Sequence, residues 1–329
     1  MAIEHISSQS SPDNNTAVKL GIIMDPLESI NIKKDSTYAM IKEAAGREWT
    51  IYCCTPHDIY VDNGIPYGLF KKIMFHASST WYTVIELLSI PLNNFDIILL
   101  RKDPPFNMEY IYTTYLLDLV KAQGVLVAND PSGIRNNNEK LSTLKFPHLT
   151  PPSLVTTDKT KLLEFVKQHG TIIVKPLDGM GGRSIFKIRN GEDNTSVILD
   201  TITNYGTQTI LAQKFIPEIS KGDKRILLIN GEYIPYGLAR MPAPGEFRGN
   251  LAAGGTGVGF ELSERDKWIC NNLSGYLKEQ GLYFVGIDVI GDYLTEINVT
   301  CPTCIQEIDH SYNINISATY LDYLESKIK

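Results

Sequence analysis

The sequence predicts an N-terminal doubly wound α/β domain followed by a mixed α+β unit. Strand-length apolar runs alternate with helical patterns up to about residue 139, and short strands, glycine-rich loops and helices follow without internal repeats. At 329 residues and 43% hydrophobic composition, the chain suffices for two or three domains around a substantial core.

Residues 1–17, MAIEHISSQSSPDNNTA, are polar and aperiodic and read as a flexible tail. VKLGIIM is then a buried strand, Ser36 is placed to cap a helix through TYAMIKEAAG, and TIYCC returns as a strand. A second round has FDIILL as strand, EYIYTTYLLDLVKAQ as helix closed by Gly124, and VLVAN as strand. Strands alternating with helices imply a parallel sheet covered on both faces. Between the two rounds, KKIMFHASSTWYTVIELLSIPLNN carries no motif and only a weak helical pattern. DPSGIR reads as a turn and NNNEKLSTLKF as a short helix bearing Lys140, so the expected boundary falls there. The expected units are 18–139, 140–213 and 214–329.

Charge and cysteine usage exclude several classes. With 31 basic against 37 acidic residues the formal charge is -6, which argues against nucleic-acid binding, because phosphate contacts need surplus Lys and Arg. No run of eighteen apolar residues occurs and the start has no apolar secretory segment, so the expectation is a cytoplasmic protein without a membrane span. Five cysteines, two of them adjacent, suit free thiols better than a disulfide framework. Cys301 and Cys304, in CPTC, match redox CxxC spacing, but they follow an acidic strand late in a large chain.

Three segments carry chemistry. In TIIVKPLDGMGGRSIFKI, two strand-like runs flank a loop with Gly179, Gly181 and Gly182, whose backbone N–H groups can approach phosphate oxygens. The order is not that of a P-loop, and alone it would be an ordinary hairpin. Lys175, closing the incoming strand, and Lys140 upstream supply the cations that tip the balance. In GLYFVGIDVIGDYLTEINVTCPT, Glu296 and Asn298 are two apart and share one strand face, a set of oxygen donors that suits magnesium. Asp288 joins them if a three-residue loop, Gly291 to Tyr293, sets the register. In LARMPAPGEFRGNLAAGGTGVG, Arg240 and Arg248 lead into a run of small residues that reads as a lid. Arg225, in GDKRILLI, could aim at the same site, and Arg101, in RKDPPF, ends a first-domain strand where parallel sheets bind ligands.

MDPLESINIKKDS, RKDPPF, NEKL, VKPLDGMGG, GDKR, RGNLAAGG and GIDVIGDYLTEINVTCPTCI, in that order, closely resemble the bacterial glutathione synthetases, a branch of the ATP-grasp family. The resemblance runs from about Val18 to beyond residue 305. It implies a pre-ATP-grasp α/β domain and a two-subdomain ATP-grasp unit holding ATP between its halves. It further implies that γ-glutamylcysteine, glycine and ATP give glutathione, ADP and phosphate. Lys140 and Lys175 then resemble phosphate ligands beneath the Gly179–Gly182 loop. The linker containing Gln213, Lys214, Phe215 and Ile216 resembles the adenine contact, and Asp223 the ribose contact. Asp288, Glu296 and Asn298 resemble ligands of Mg2+, or of Mn2+ in its place. Arg225, Arg240 and Arg248 resemble the clamp on the γ-phosphate and acyl phosphate, with Arg101 and Asn250 toward the other substrates. A homo-oligomer is implied as well. The N-terminal tail, residues 65–95 and Cys301, where the family usually has serine, depart from the pattern.

Other readings of the same residues are another carboxylate–amine ligase, a nucleotide-binding regulatory protein without turnover, and a small-molecule kinase. The intact cation and metal set argues against the regulatory protein, and release of free phosphate would separate a ligase from a kinase.

Overall fold

A computed structural model describes residues 17–249 and 254–328; residues 1–16, most of the expected tail, lie outside the described residues. The apolar run Lys19–Met24 is β1, Thr50–Cys54 is β2, Ile97–Arg101 is β6 and Leu126–Ala128 is β7, and β2–β1–β6–β7 pair in parallel. Helix α1 (Ser36–Gly46) and helix α2 (Met108–Lys121) connect them. The cap of α1 is Asp35, not Ser36: the Asp35 carboxylate accepts from Tyr38 N at 2.8 Å, while Ser36 is the first helical residue and its hydroxyl accepts from Ile305 N.

The stretch with the weak helical pattern is a long antiparallel hairpin. Short β3 (Ile59–Asp62) is followed by β4 (Ile65–Phe75) and β5 (Tyr82–Pro91), and β4 continues the sheet from β2. Along β4 burial alternates through much of its length, with Phe70 fully enclosed, whereas β5 is largely exposed. A half-buried strand beside an exposed one leaves no clean period in the sequence. DPSGIR is likewise not a bare turn but α3 (Pro131–Asn136), capped by Asp130, whose carboxylate accepts from Ser132 N and Gly133 N. The segment bearing Lys140 forms a 3₁₀ turn, Leu141–Lys145, with Lys140 at its N-cap.

A second, four-stranded sheet combines β8 (Ser153–Thr156), β9 (Thr171–Pro176), β10 (Phe186–Arg189) and β11 (Ile210–Lys214), in the order β10–β9–β11–β8. Helices α4 (Lys159–His169) and α5 (Thr195–Ile202) contribute Leu162, Val166 and Leu199 to a core that this sheet closes by itself with Ile172, Val174 and Ile210. A third sheet, in the order β14–β13–β12–β15–β16, holds β12 (Asp223–Ile229), β13 (Glu232–Met241), β14 (Thr256–Glu261), β15 (Phe284–Ile290) and β16 (Tyr293–Asn298). Helices α6 (Glu264–Glu279), α7 (Ile305–Tyr312) and α8 (Ile316–Ile328) complete this part.

The first and third sheets share their cores. One apolar cluster joins Ile98, Leu117 and Val127 to Ile226, Leu273 and Ile287; another joins Leu20, Met40 and Leu99 to Leu227, Phe284 and Tyr320. Each such aliphatic side chain, fully buried, contributes about 1.5–3 kcal/mol. The seam is also sewn by Asn129, whose amide nitrogen donates to Phe284 O and Val299 O at 2.8 Å each and whose oxygen accepts from Phe284 N at 2.7 Å.

Candidate active site

The turn between β15 and β16 has two residues, Gly291 and Asp292, not three. Asp288 nevertheless stands opposite Glu296, because a bulge between Asp288 and Val289 absorbs one residue of β16, Thr295. Thr295 Oγ1 donates to Asp288 O at 3.1 Å and holds the bulge closed. Gly291 takes φ 56°, the left-handed conformation such a turn requires. Asp288, Glu296 and Asn298 all line one cavity.

Each carboxylate lies among cations. Asp288 accepts from Arg225 Nε at 2.6 Å and Nη2 at 3.2 Å, and lies 3.0 Å from Arg240 Nη2. The ladder places Arg225 beside Asp288 and Arg240 beside Asp223, and Arg240 Nη2 donates to Asp223 Oδ2 at 2.6 Å. Burial alone would raise the Asp288 carboxyl, but Arg225 and Arg240 outweigh it and hold it well below the usual range. Asp223 moves the other way, to about 6, because burial and the neighbouring Asp288 charge exceed the pull of Arg240. Its Oδ1 is buried without a partner among the described residues.

Glu296 Oε1 lies 3.5 Å from Lys175 Nζ and 3.7 Å from Lys140 Nζ, and these two lysines offset burial to keep it ionised. Burial pulls Lys175 below its ordinary value. Lys140 Nζ also donates to Gly179 O at 2.7 Å, tying the glycine loop to the cation pair. In that loop Gly181 and Gly182 adopt φ 66° and 77°, so a side chain there would strain the backbone. Arg248 Nη1 donates to Gly182 O at 3.0 Å, joining the described start of the segment expected to act as a lid to the glycine loop. Asn250 lies outside the described residues.

Two cavities meet here. One runs between the second and third sheets, with Gln213, Lys214, Phe215, Ile216, Ile173 and Ile290 as walls and Lys140, Lys175, Gly182, Asp223 and Arg248 toward its polar end. The other extends toward the first sheet past Arg225, Arg240, Asn298 and Cys301. Gly179, Met180, Gly181, Asp288 and Glu296 border both. A nucleotide in the first would present its terminal phosphate to whatever occupies the second.

Arg101 is placed differently from the other cations. It is buried behind the site, donating from Nε to Thr37 Oγ1 at 3.2 Å and from Nη2 to Pro302 O at 2.9 Å, and opens on a separate neighbouring cavity. Cys301 Sγ donates to Arg101 O at 3.3 Å, and Cys304 is buried. Burial raises both thiols, the reverse of what a redox CxxC needs.

Glu139 was not singled out by sequence reasoning. Its carboxylate accepts from Val299 N, Thr300 N and Thr300 Oγ1 within 3.1 Å, and its carbonyl accepts from Ile297 N, so it locks the Lys140 segment onto the strand carrying Glu296 and Asn298. Only its place next to Lys140 could have drawn attention to it.

Among the described residues no three His, Cys, Asp or Glu side chains converge as a metal cage. The available donors are two carboxylates and the Asn298 amide, whose nitrogen is committed to Gly286 O at 3.1 Å, which leaves Oδ1 for the cavity. Two ionised carboxylates and an amide oxygen are hard donors that suit a cation keeping phosphate and water in its shell.

Two family models cover the chain: the prokaryotic glutathione synthetase N-terminal domain over residues 18–135 and the prokaryotic glutathione synthetase ATP-grasp domain over residues 139–313. Relatives named glutathione synthetase include one from Vibrio cholerae, 51% identical over 313 residues covering 95% of this chain and 98% of the relative. Another, from Pseudomonas syringae, is 50% identical over 314 residues, covering 95% and 98%. Among solved structures, D-cycloserine synthetase superposes with a TM-score of 0.66 at 11% identity, covering 94% of this chain and 100% of that one. The ATP-grasp ligase PsnB, in complex with a minimal precursor, Mg and ADP, gives 0.59 at 14% identity, covering 94% and 98%. These likenesses establish a shared ATP-grasp fold.

Proposed function

The chain belongs to the prokaryotic glutathione synthetase family, and on that footing we propose that its two joined cavities hold ATP and γ-glutamylcysteine with the reacting groups at their junction. It is an ATP-dependent carboxylate–amine ligase that joins γ-glutamylcysteine to glycine. The observation that carries the site assignment is the shared border of the cavities, where Asp288 and Glu296 face both.

The apolar walls at Ile173, Phe215 and Ile290 suit adenine, and the linker 213–216 offers it backbone groups. Lys140 and Lys175 suit the phosphates beneath the glycine loop. Asp288, Glu296 and Asn298 would hold Mg2+, or Mn2+, which draws charge from the phosphate oxygens. The reaction needs positioning and charge neutralisation more than a protein nucleophile. The cysteinyl carboxylate of the dipeptide attacks the γ-phosphate to give an acyl phosphate and ADP. The glycine amine then adds to the acyl carbon, phosphate leaves, and the amine loses its proton. Arg225 and Arg240 would balance the negative charge of the tetrahedral intermediate, and the lid would keep water from the acyl phosphate.

The substrates on this reading are small molecules. A homo-oligomer is suggested by the family resemblance and a cytoplasmic location by composition; no helix among the described residues is long and apolar enough to cross a membrane. The test is phosphate release from Mg-ATP with γ-glutamylcysteine, with glycine, and with both, products being read by mass spectrometry. Phosphate and glutathione appearing together only with both substrates support this reading; ATP binding without turnover refutes it.

A further inference from the structure

The two parts that suit the phosphates belong to different bodies. The glycine loop joins β9 to β10 in the second sheet, which closes its own core, whereas Lys140 is fastened through Glu139 to β16 and the residues after it in the third part. Packing within either core does not set the spacing between them, so the bonds that cross the gap decide it. Successive carbonyls at the loop accept from separate segments: Leu177 O from Asn138 Nδ2 at 2.9 Å, Asp178 O from Phe106 N at 3.4 Å and Gly179 O from Lys140 Nζ at 2.7 Å. The Phe106 bond is long, and a Lys140 ammonium that turns to phosphate gives up its share in Gly179 O. Asn138 has no such conflict. Its Oδ1 accepts from Lys140 N at 3.1 Å and Leu141 N at 3.0 Å, shaping the turn that presents Lys140, while its Nδ2 holds the loop. An amide supplies acceptor and donor together, so one side chain bonds to both parts.

We propose that Asn138 is a positioning residue of the ligase: it sets the glycine loop of the second sheet in register with Lys140, so that both engage the same phosphate groups of ATP. The inference rests on the reading above that the first cavity takes ATP. Asn138 is not among the residues lining either cavity, so it acts through Lys140 and the loop and not on the nucleotide itself. Two groups held in register by a third that stays outside the site are preorganised for a ligand neither could bind as well alone.

The test uses the full-length variants Asn138→Ser and Asn138→Asp. Both keep an oxygen to accept from the turn, and neither donates to Leu177 O, serine being too short and aspartate having no N–H; serine also adds no charge near the phosphates. KM for ATP should rise about tenfold in each, the effect of one lost hydrogen bond, with KM for γ-glutamylcysteine and for glycine and the nucleotide-free melting temperature unchanged. Hydrogen exchange supplies a readout that a merely structural role would not move. In the variants Mg-ATP should still slow exchange at 213–216 and no longer slow it at Gly179–Gly182 to the wild-type extent. An unchanged KM for ATP overturns the proposal, as does a fall in melting temperature with all three KM values moving together. Should Asn138→Ser fail to fold, Asn138→Asp decides by the same exchange pattern. Wild-type protein in which Mg-ATP slows exchange at neither segment would instead overturn the reading of the first cavity and this inference with it.

Discussion

Arg225 is buried and paired with Asp288, and in the proposed mechanism it also meets the charge that develops on the substrate. Replacing it by alanine removes a positioned cation from the reacting centre, and we expect Arg225→Ala to lower kcat on the order of a hundred- to a thousandfold, about 3 to 4 kcal/mol. Phosphate release at saturating substrates measures this, and near-normal turnover would remove Arg225 from the chemistry. At this scale Lys175 and Glu296 were legible because each is a charged residue inside an apolar strand run. Glu139 was not, because its bonds reach Val299 and Thr300, 160 residues or more away in sequence, and no local pattern records such a partner. The buried commitment of Arg101 to Thr37 and Pro302 was hidden for the same reason.

Among the elements, the described end of the segment expected to act as a lid meets the glycine loop through the bond from Arg248 to Gly182 O. We expect Arg248→Ala to raise the phosphate released per glutathione formed several-fold, because a looser lid admits water to the acyl phosphate. The ratio of the two products measures it; an unchanged ratio with slower turnover would place Arg248 on the phosphates instead. Helix α7 carries a second prediction. Burial raises Asp309 from 3.8 to about 6, with the Ile316 N–H opposing. The folded state thus keeps a proton that the unfolded chain releases, and this contribution to stability is present below about pH 4 and lost as pH rises toward 6. Asp309→Asn should gain on the wild type across that window and hold a constant difference above it, as followed by thermal melts between pH 4 and 7. Helices α1 and α2 and the parallel strands of the first sheet were readable from their periods and length. The β4–β5 hairpin was not, since one strand is half-buried and the other exposed, and the Thr295 bulge was invisible because turn length and bulge trade against each other in setting register.

In the whole molecule, the second sheet closes its own core while the first and third share theirs. It should therefore open independently, and we expect amides of residues 153–214 to exchange with solvent more readily than those of β1, β6 and β15, with ATP slowing exchange at Gly179–Gly182 and 213–216. Uniform protection across all three sheets would refute this. The alternation of strands and helices was enough to read the first sheet's parallel core, yet nothing in it announced that β15 would share a core with β6, because contacts between distant segments leave no periodicity. Asn129 gives that sharing a practical meaning. One side-chain amide serves as a surrogate peptide unit for two separate stretches of backbone, so a cut anywhere between β7 and β15 strands polar groups on one fragment and apolar faces on both. The flanking segments thus stand or fall as one body, while the central sheet keeps a core of its own.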